Sequence, residues 1–179
     1  HGKVAGHPKD AKAFMEAALA KPELMSARFS AARGVLEKQA IVDPARIYGI
    51  GYCFGGAVVL NQARMGADLA GVASFHGSLG TAAPAAAGKV KARVLVATGG
   101  ADPMIPPQQV ADFVKEMSDA GVDLELLTFP GVVHSFTNPG ATKRGEQYEL
   151  PLAYDADADR RSWVALVQML SRCSLGLRG

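Results

Sequence analysis

The chain has 179 residues, 49% of them apolar and 20% charged, a balance that suits a water-soluble globular domain and leaves no apolar run long enough to span a bilayer. Nineteen Lys and Arg face 17 Asp and Glu, a formal net charge of +2 spread along the chain, which excludes the clustered basic footprint of a nucleic-acid binder. Two cysteines, Cys53 and Cys173, are too few for a disulfide framework and point to a reducing compartment, so a cytoplasmic location is expected.

The sequence opens HGKVAGHPKD, with neither a Met nor a signal-peptide pattern, and is expected to begin partway through a longer protein. Residues 8–20 read as a short helix with Phe14 and Ala18 on one face. Residues 22–40 read as a longer helix, with Pro22 in its first turn and Met25, Phe29, Ala32 and Leu36 recurring at spacings of four, three and four.

DPARIYGIGY then supplies a turn and a short apolar run of the kind a buried parallel strand shows. Similar runs follow at 69–75, 92–98 and 122–129. Residues 77–90, rich in Gly, Ala and Pro, read as a connecting loop. Residues 107–120 read as a helix with Val110, Val114 and Met117 on its apolar face and Gly121 placed to end it.

Residues 138–158 read as a long connection passing near the functional end of the sheet. The last helix, near 157–172, carries Asp157 and Asp159 in its first turn, where they complement the helix dipole, and Trp163, Val167 and Leu170 as its expected core stripe. Strands alternating with helices predict an α/β protein with a mainly parallel sheet, and such sheets bear their function at the carboxyl ends of the strands.

Three residues capable of nucleophilic catalysis fall at those ends. Cys53 sits in GYCFGG, where a strand turns sharply into a helix; Gly51 and Gly55 are expected to supply room for the turn, and the helix N-terminus favours a thiolate. Asp102 follows the third strand in GGADPMIP, and His134 follows the fourth in FPGVVHSF. Each has a bland reading when taken alone: a small buried cysteine, a turn aspartate, a surface histidine. Together they occur in the order nucleophile, acid, base, each just beyond a separate strand, which is the order of α/β hydrolases with Cys in place of Ser.

Through GYCFGG, GGADPMIP and HSF at compatible spacings, the chain resembles the dienelactone hydrolase family of α/β hydrolases. The resemblance implies an α/β-hydrolase domain over residues 1–179, forming the C-terminal portion of the fold. The family's early strands, a second oxyanion donor and a glutamate beside the cysteine would then lie upstream of His1. On that expectation the 179 residues alone are poorly active and aggregation-prone.

With the triad, the resemblance implies cleavage of small esters or lactones. Cys53 attacks the carbonyl, His134 moves the proton, Asp102 orients the imidazole, and the Phe54 N–H serves as an oxyanion donor. Tyr52, His76 and Phe136 are candidate pocket residues. A bland reading of His76 as a hydrogen-bonded structural histidine stands beside that one.

Thr137-Asn138 stand where the best-known family members have Ala-Arg after HSF, and that arginine helps hold a substrate carboxylate. Dienelactone itself is therefore disfavoured as substrate, and Lys143 or Arg144 is left as a possible substitute for the missing cation. His7 is expected at the surface and Cys173 to be a bystander. No His, Cys and carboxylate cluster has metal-ligand spacing and no phosphate-cradling motif is present, so no cofactor is implied. An acyltransferase using the same thioester and a non-catalytic ligand-binding module are the alternative readings.

Overall fold

The computed structural model describes residues 3–174, and the side chain of Cys173 lies outside what is described. The chain divides into two compact units, His1–Pro44 and Ala45–Gly179. In the first, α1 (Pro8–Leu19) and α2 (Pro22–Glu37) each begin on a proline. Proline's fixed φ suits a first turn, where its missing N–H has no intrahelical partner to lose. His7 is exposed and caps α1, its Nδ1 accepting the Lys9 N–H at 3.1 Å. The second helix stops at Glu37, short of the predicted residue 40.

The second unit is built on four parallel strands in the order β1 (Tyr48–Tyr52), β2 (Gly71–Phe75), β3 (Arg93–Gly99) and β4 (Leu124–Phe129). Every residue of β2 is buried, and in β3 all but Arg93 are, which explains why these strands read as unbroken apolar runs rather than as alternating ones. The pairings Gly51↔Ser74 and Ser74↔Val96 bring the carboxyl ends of β1, β2 and β3 to one rim.

Helix α3 (Phe54–Arg64) packs on β1 and β2, and α4 (Pro107–Asp119) joins β3 to β4. On the other face α6 (Ala156–Ser174) lays Ala158, Ala165, Leu166 and Met169 against Ala73, Phe75, Leu95, Ala97 and Phe129. The helix-free connection from β2 to β3 is tied down by Arg64. Its guanidinium forms two 2.8 Å bonds to Glu116 on α4 and donates to the Leu79 carbonyl at 2.7 Å, while Glu116 also accepts the Ala85 N–H at 2.7 Å.

Three expectations are corrected here. The core stripe of the last helix is not Trp163 and Val167, which are 56% and 45% exposed; small residues, Ala158, Ser162 and Ala165, face inward with Leu166 and Met169. On α4 Phe113 and Met117 are buried while Val114 is exposed. The connection 138–158 contains a helix of its own, α5 (Ala141–Tyr148).

Candidate active site

Cys53 occupies the one-residue corner between β1 and α3 with φ 50° and ψ −119°, a conformation L residues rarely adopt and one that persists only where its surroundings enforce it. Its N–H is shared between the Phe75 carbonyl at 3.0 Å and His76 Nδ1 at 3.2 Å, and its carbonyl accepts the Gly56 N–H at 3.0 Å. A side chain at Gly51 would run into the Gly55 carbonyl, so the corner requires glycine there. Gly55 itself faces open space, contrary to the expectation that it relieves the crowding. The second crowded position is Gly56, where a Cβ would strike Ser74 Oγ.

Asp102 lies in the loop after β3, its side chain fully buried. One carboxylate oxygen accepts the Met104 N–H at 2.9 Å, leaving Oδ2 for His134 Nδ1 at 2.8 Å. His134 is fixed by the segment following α5: its N–H donates to the Pro151 carbonyl and its own carbonyl accepts from Ala153, both at 3.2 Å. The far nitrogen, Nε2, stands 3.2 Å from Cys53 Sγ. Sulfur, imidazole and carboxylate, the three residues named from the sequence, therefore form one hydrogen-bonded series.

This series sets the charges. The Cys53 thiol is held below its usual range, first by its hydrogen bond with His134 and in part by the Phe54 N–H, against burial that pushes it up. His134 is raised to about 9: burial opposes the imidazolium, and the hydrogen bonds to Asp102 and Cys53 outweigh it. Both shifts favour a thiolate beside an imidazolium, the pairing in which Nε2–H faces sulfur and Nδ1–H faces Asp102.

His76 is buried and has φ 42°. Because Nδ1 accepts from Cys53, its proton resides on Nε2 and is donated to Thr137 Oγ1 at 2.9 Å. Burial, reinforced by the charge of His134, lowers it to about 4 and keeps it neutral.

A cleft of about 440 Å³ opens above the sulfur, lined by Tyr52, Cys53, His76, Thr137, Asn138 and Asp159 among others. Tyr52 and His76 thus sit where a pocket was expected. Phe136 does not: it is fully buried, its ring edge-on to His76 and Phe129 in the core. Lys143 and Arg144 are exposed on α5, as solvated charges would be, and are not among the residues lining the cleft. Thr137 as the partner of His76, and Asp159 as a cleft residue, were not foreseen; both depend on segments that only the fold brings together. Among the described residues no group of three or more His, Cys, Asp and Glu is placed to hold a metal ion.

A family model described as the dienelactone hydrolase family matches residues 1–174. The chain belongs to that family. An uncharacterized protein of Caenorhabditis elegans is 30% identical over 151 residues, covering 80% of this chain and 90% of that protein. A dienelactone hydrolase-like promiscuous phosphotriesterase from metagenomic libraries superposes with a TM-score of 0.81 at 34% identity, over 90% of this chain and 66% of that one. The solved structure named m3DLH gives 0.86 at 30% identity, over 96% and 70% respectively. The chain thus spans about two thirds of the length of these two members, and its fold is that of the α/β hydrolases. No helix among the described residues is long and apolar enough to cross a membrane.

Proposed function

We propose that this member of a hydrolase family cleaves small carboxylic esters or lactones through a thioester formed on Cys53. The observation carrying this reading is the hydrogen-bonded series from Cys53 Sγ through His134 to Asp102, set on a strained corner at the start of α3.

The thiolate attacks the substrate carbonyl, and the Phe54 N–H, which bonds the sulfur at rest, donates to the developing oxyanion. As the tetrahedral intermediate collapses, the C–O bond breaks and His134 Nε2–H protonates the departing alkoxide. The neutral imidazole then takes a proton from water as the water oxygen attacks the thioester. Collapse of that second adduct frees the carboxylic acid and returns the thiolate with imidazolium. Throughout, Asp102 holds Nδ1–H and stabilises the imidazolium.

The test is a panel of short-chain aryl and alkyl esters and lactones, with intact-mass detection of an acyl adduct on Cys53. Cys53→Ala is expected to abolish turnover, and Cys53→Ser to keep a measurable fraction with activated esters. Wild-type rates from Cys53→Ala would overturn the reading. Phosphotriesters belong on the panel as a second substrate class, because the 34% identical metagenomic relative is described as a promiscuous phosphotriesterase.

A further inference from the structure

In the sequence Asp159 is a helix-start carboxylate that complements a dipole. The fold gives it a second environment, since its side chain lines the cleft that holds Cys53. Tyr154 donates its hydroxyl to Asp159 Oδ2 at 3.1 Å. The adjacent arginines do not neutralise it, because Arg160 and Arg161 both pair with Asp157 on the outer side of the helix. Among the described residues lining the cleft no Lys or Arg occurs, and Asp159 is the acidic one. Its field reaches the nucleophile's side of the cleft: the phenol of Tyr52, adjacent to Cys53, is pushed up by burial and then by the Asp159 carboxylate.

A half-buried carboxylate with no cationic partner among the described residues acts in a medium of lower effective dielectric than water, so a charged group entering the cleft feels it strongly. Its remaining acceptor capacity also suits a donor such as an ammonium group. A spectator charge on the substrate interacts with Asp159 in both the ground state and the transition state, so its influence falls mainly on KM.

We propose that Asp159 makes this cleft select substrates by charge, favouring esters or lactones that bear a cationic substituent over neutral ones, and neutral ones over those bearing a carboxylate. The inference rests on the reading of Cys53 as an ester-cleaving nucleophile and names the substrate class that nucleophile meets.

The test has two arms. In the first, three esters of matched size carrying a trimethylammonium, a tert-butyl or a carboxylate group are compared by kcat/KM. The cationic ester is expected to exceed the anionic one by about tenfold or more at low salt, and Asp159→Asn to bring that ratio close to one, chiefly through KM, while Asp159→Glu restores it. A merely structural Asp159 would scale all three substrates together and leave the ratio unmoved.

The second arm needs no turnover. Cys53 is labelled with cationic and anionic methanethiosulfonates, in which the thiolate displaces sulfinate to form a mixed disulfide. The rates are read on the Cys53 peptide by mass spectrometry, so that labelling of Cys173 does not interfere. The cationic reagent is expected to lead, and Asp159→Asn to remove its lead. Ester turnover that depends on Cys53, with charge ratios indifferent to Asp159→Asn in both arms, overturns the inference and leaves ester cleavage standing. An Asp159-dependent labelling ratio with no turnover of any ester overturns the ester reading instead, and indifference in both respects overturns both.

Discussion

Two imidazoles stand with ring centroids 5.0 Å apart at the rim of one sheet, and they differ in almost everything except burial. His134 is 5% exposed and His76 3%, so desolvation works against a charge on either. What separates them is the company of their nitrogens. His134 lies between a carboxylate and a sulfur that becomes negative, and it is raised to about 9. His76 lies between the Cys53 N–H, which it shares with the Phe75 carbonyl, and a hydroxyl that accepts its one proton, and burial with the charge of His134 drops it to about 4. Identical rings at nearly identical depth are therefore divided by their neighbours: the bonds and charges of Asp102 and Cys53 overcome burial at His134, while burial and the charge of His134 keep His76 neutral. The arrangement also reinforces itself, since a charged His134 makes a charge on His76 costlier.

Turnover gives the largest way to break the comparison. His134→Gln is expected to lower kcat by about a thousandfold or more, because in the proposed mechanism the imidazole both holds the thiolate and moves protons. His76→Phe comes close to the ring volume and removes both the acceptor for the Cys53 N–H, which retains its bond to the Phe75 carbonyl, and the donor to Thr137 Oγ1. A loss of about tenfold in kcat is expected, with partial recovery in His76→Asn, whose side-chain oxygen can stand near the position of Nδ1. Equal losses at the two histidines, measured with one activated ester, would end the distinction.

Titration sharpens it next. Followed by NMR, the ring protons of His134 should report a proton leaving near pH 9, a value belonging to the His–Cys pair as a unit. In Cys53→Ala that value should fall toward the ordinary range of histidine, because one hydrogen bond and one negative neighbour are gone. A value unchanged in the variant would mean that the sulfur has no part in holding the proton.

His76 should appear instead in acid stability. Its native value near 4 lies below the 6.5 of an unfolded histidine, so the unfolded chain binds the proton first as pH falls. The contribution is therefore complete above pH 6.5 and is lost as pH drops through about 4. The expected loss is about 2 to 3 kcal/mol by pH 4.5. Urea unfolding at pH 7 and pH 4.5 measures it, and His76→Phe should remove that part of the pH dependence. A variant with the same acid dependence as wild type would show that His76 titrates normally.

How far such a site can be read from sequence depends on whether its causes are local. Strands β2 and β3 were readable because they are buried on both faces and so read as apolar runs, whereas β1 alternates between buried and exposed residues and β4 is only partly covered. Cys53, Asp102 and His134 could be singled out because each lies within a few residues of a strand's carboxyl end, and because Gly51 is required by the tight corner at Cys53. The inner face of α6 was misread because size is a poor guide to burial. Beneath that helix the sheet already carries Phe75 and Phe129, with Phe136 beside them, and Ala158 and Ala165 fit over these rings where Trp163 would not. Helix α5, sequence ATKRGEQY, presents no apolar period; the residues it buries are Ala141 and Gly145. The partnership of His76 with Thr137, 61 residues apart, had no sequence signal, because it exists only once β2 and the loop after β4 share a rim.

Thr137 therefore offers the smallest and most selective test of the comparison. Its Oγ1 accepts the only proton on the His76 ring, within a part-buried contact. Thr137→Val keeps the shape and strands that N–H, at an expected cost of about 1 kcal/mol or somewhat more in thermal or urea unfolding. Deprived of its acceptor, the ring can exchange the Nε2–H tautomer for the one protonated at Nδ1, which would turn a donor toward the Cys53 N–H in place of an acceptor. The corner at Cys53 would loosen, and kcat should fall severalfold while His134 continues to titrate near 9. Thr137→Ser, which retains the hydroxyl, should recover both stability and rate. Failure of serine to recover them, with valine impaired, would assign the effect to the lost γ-methyl packing or to substrate contact in the cleft, and His76 would no longer be the route by which Thr137 acts.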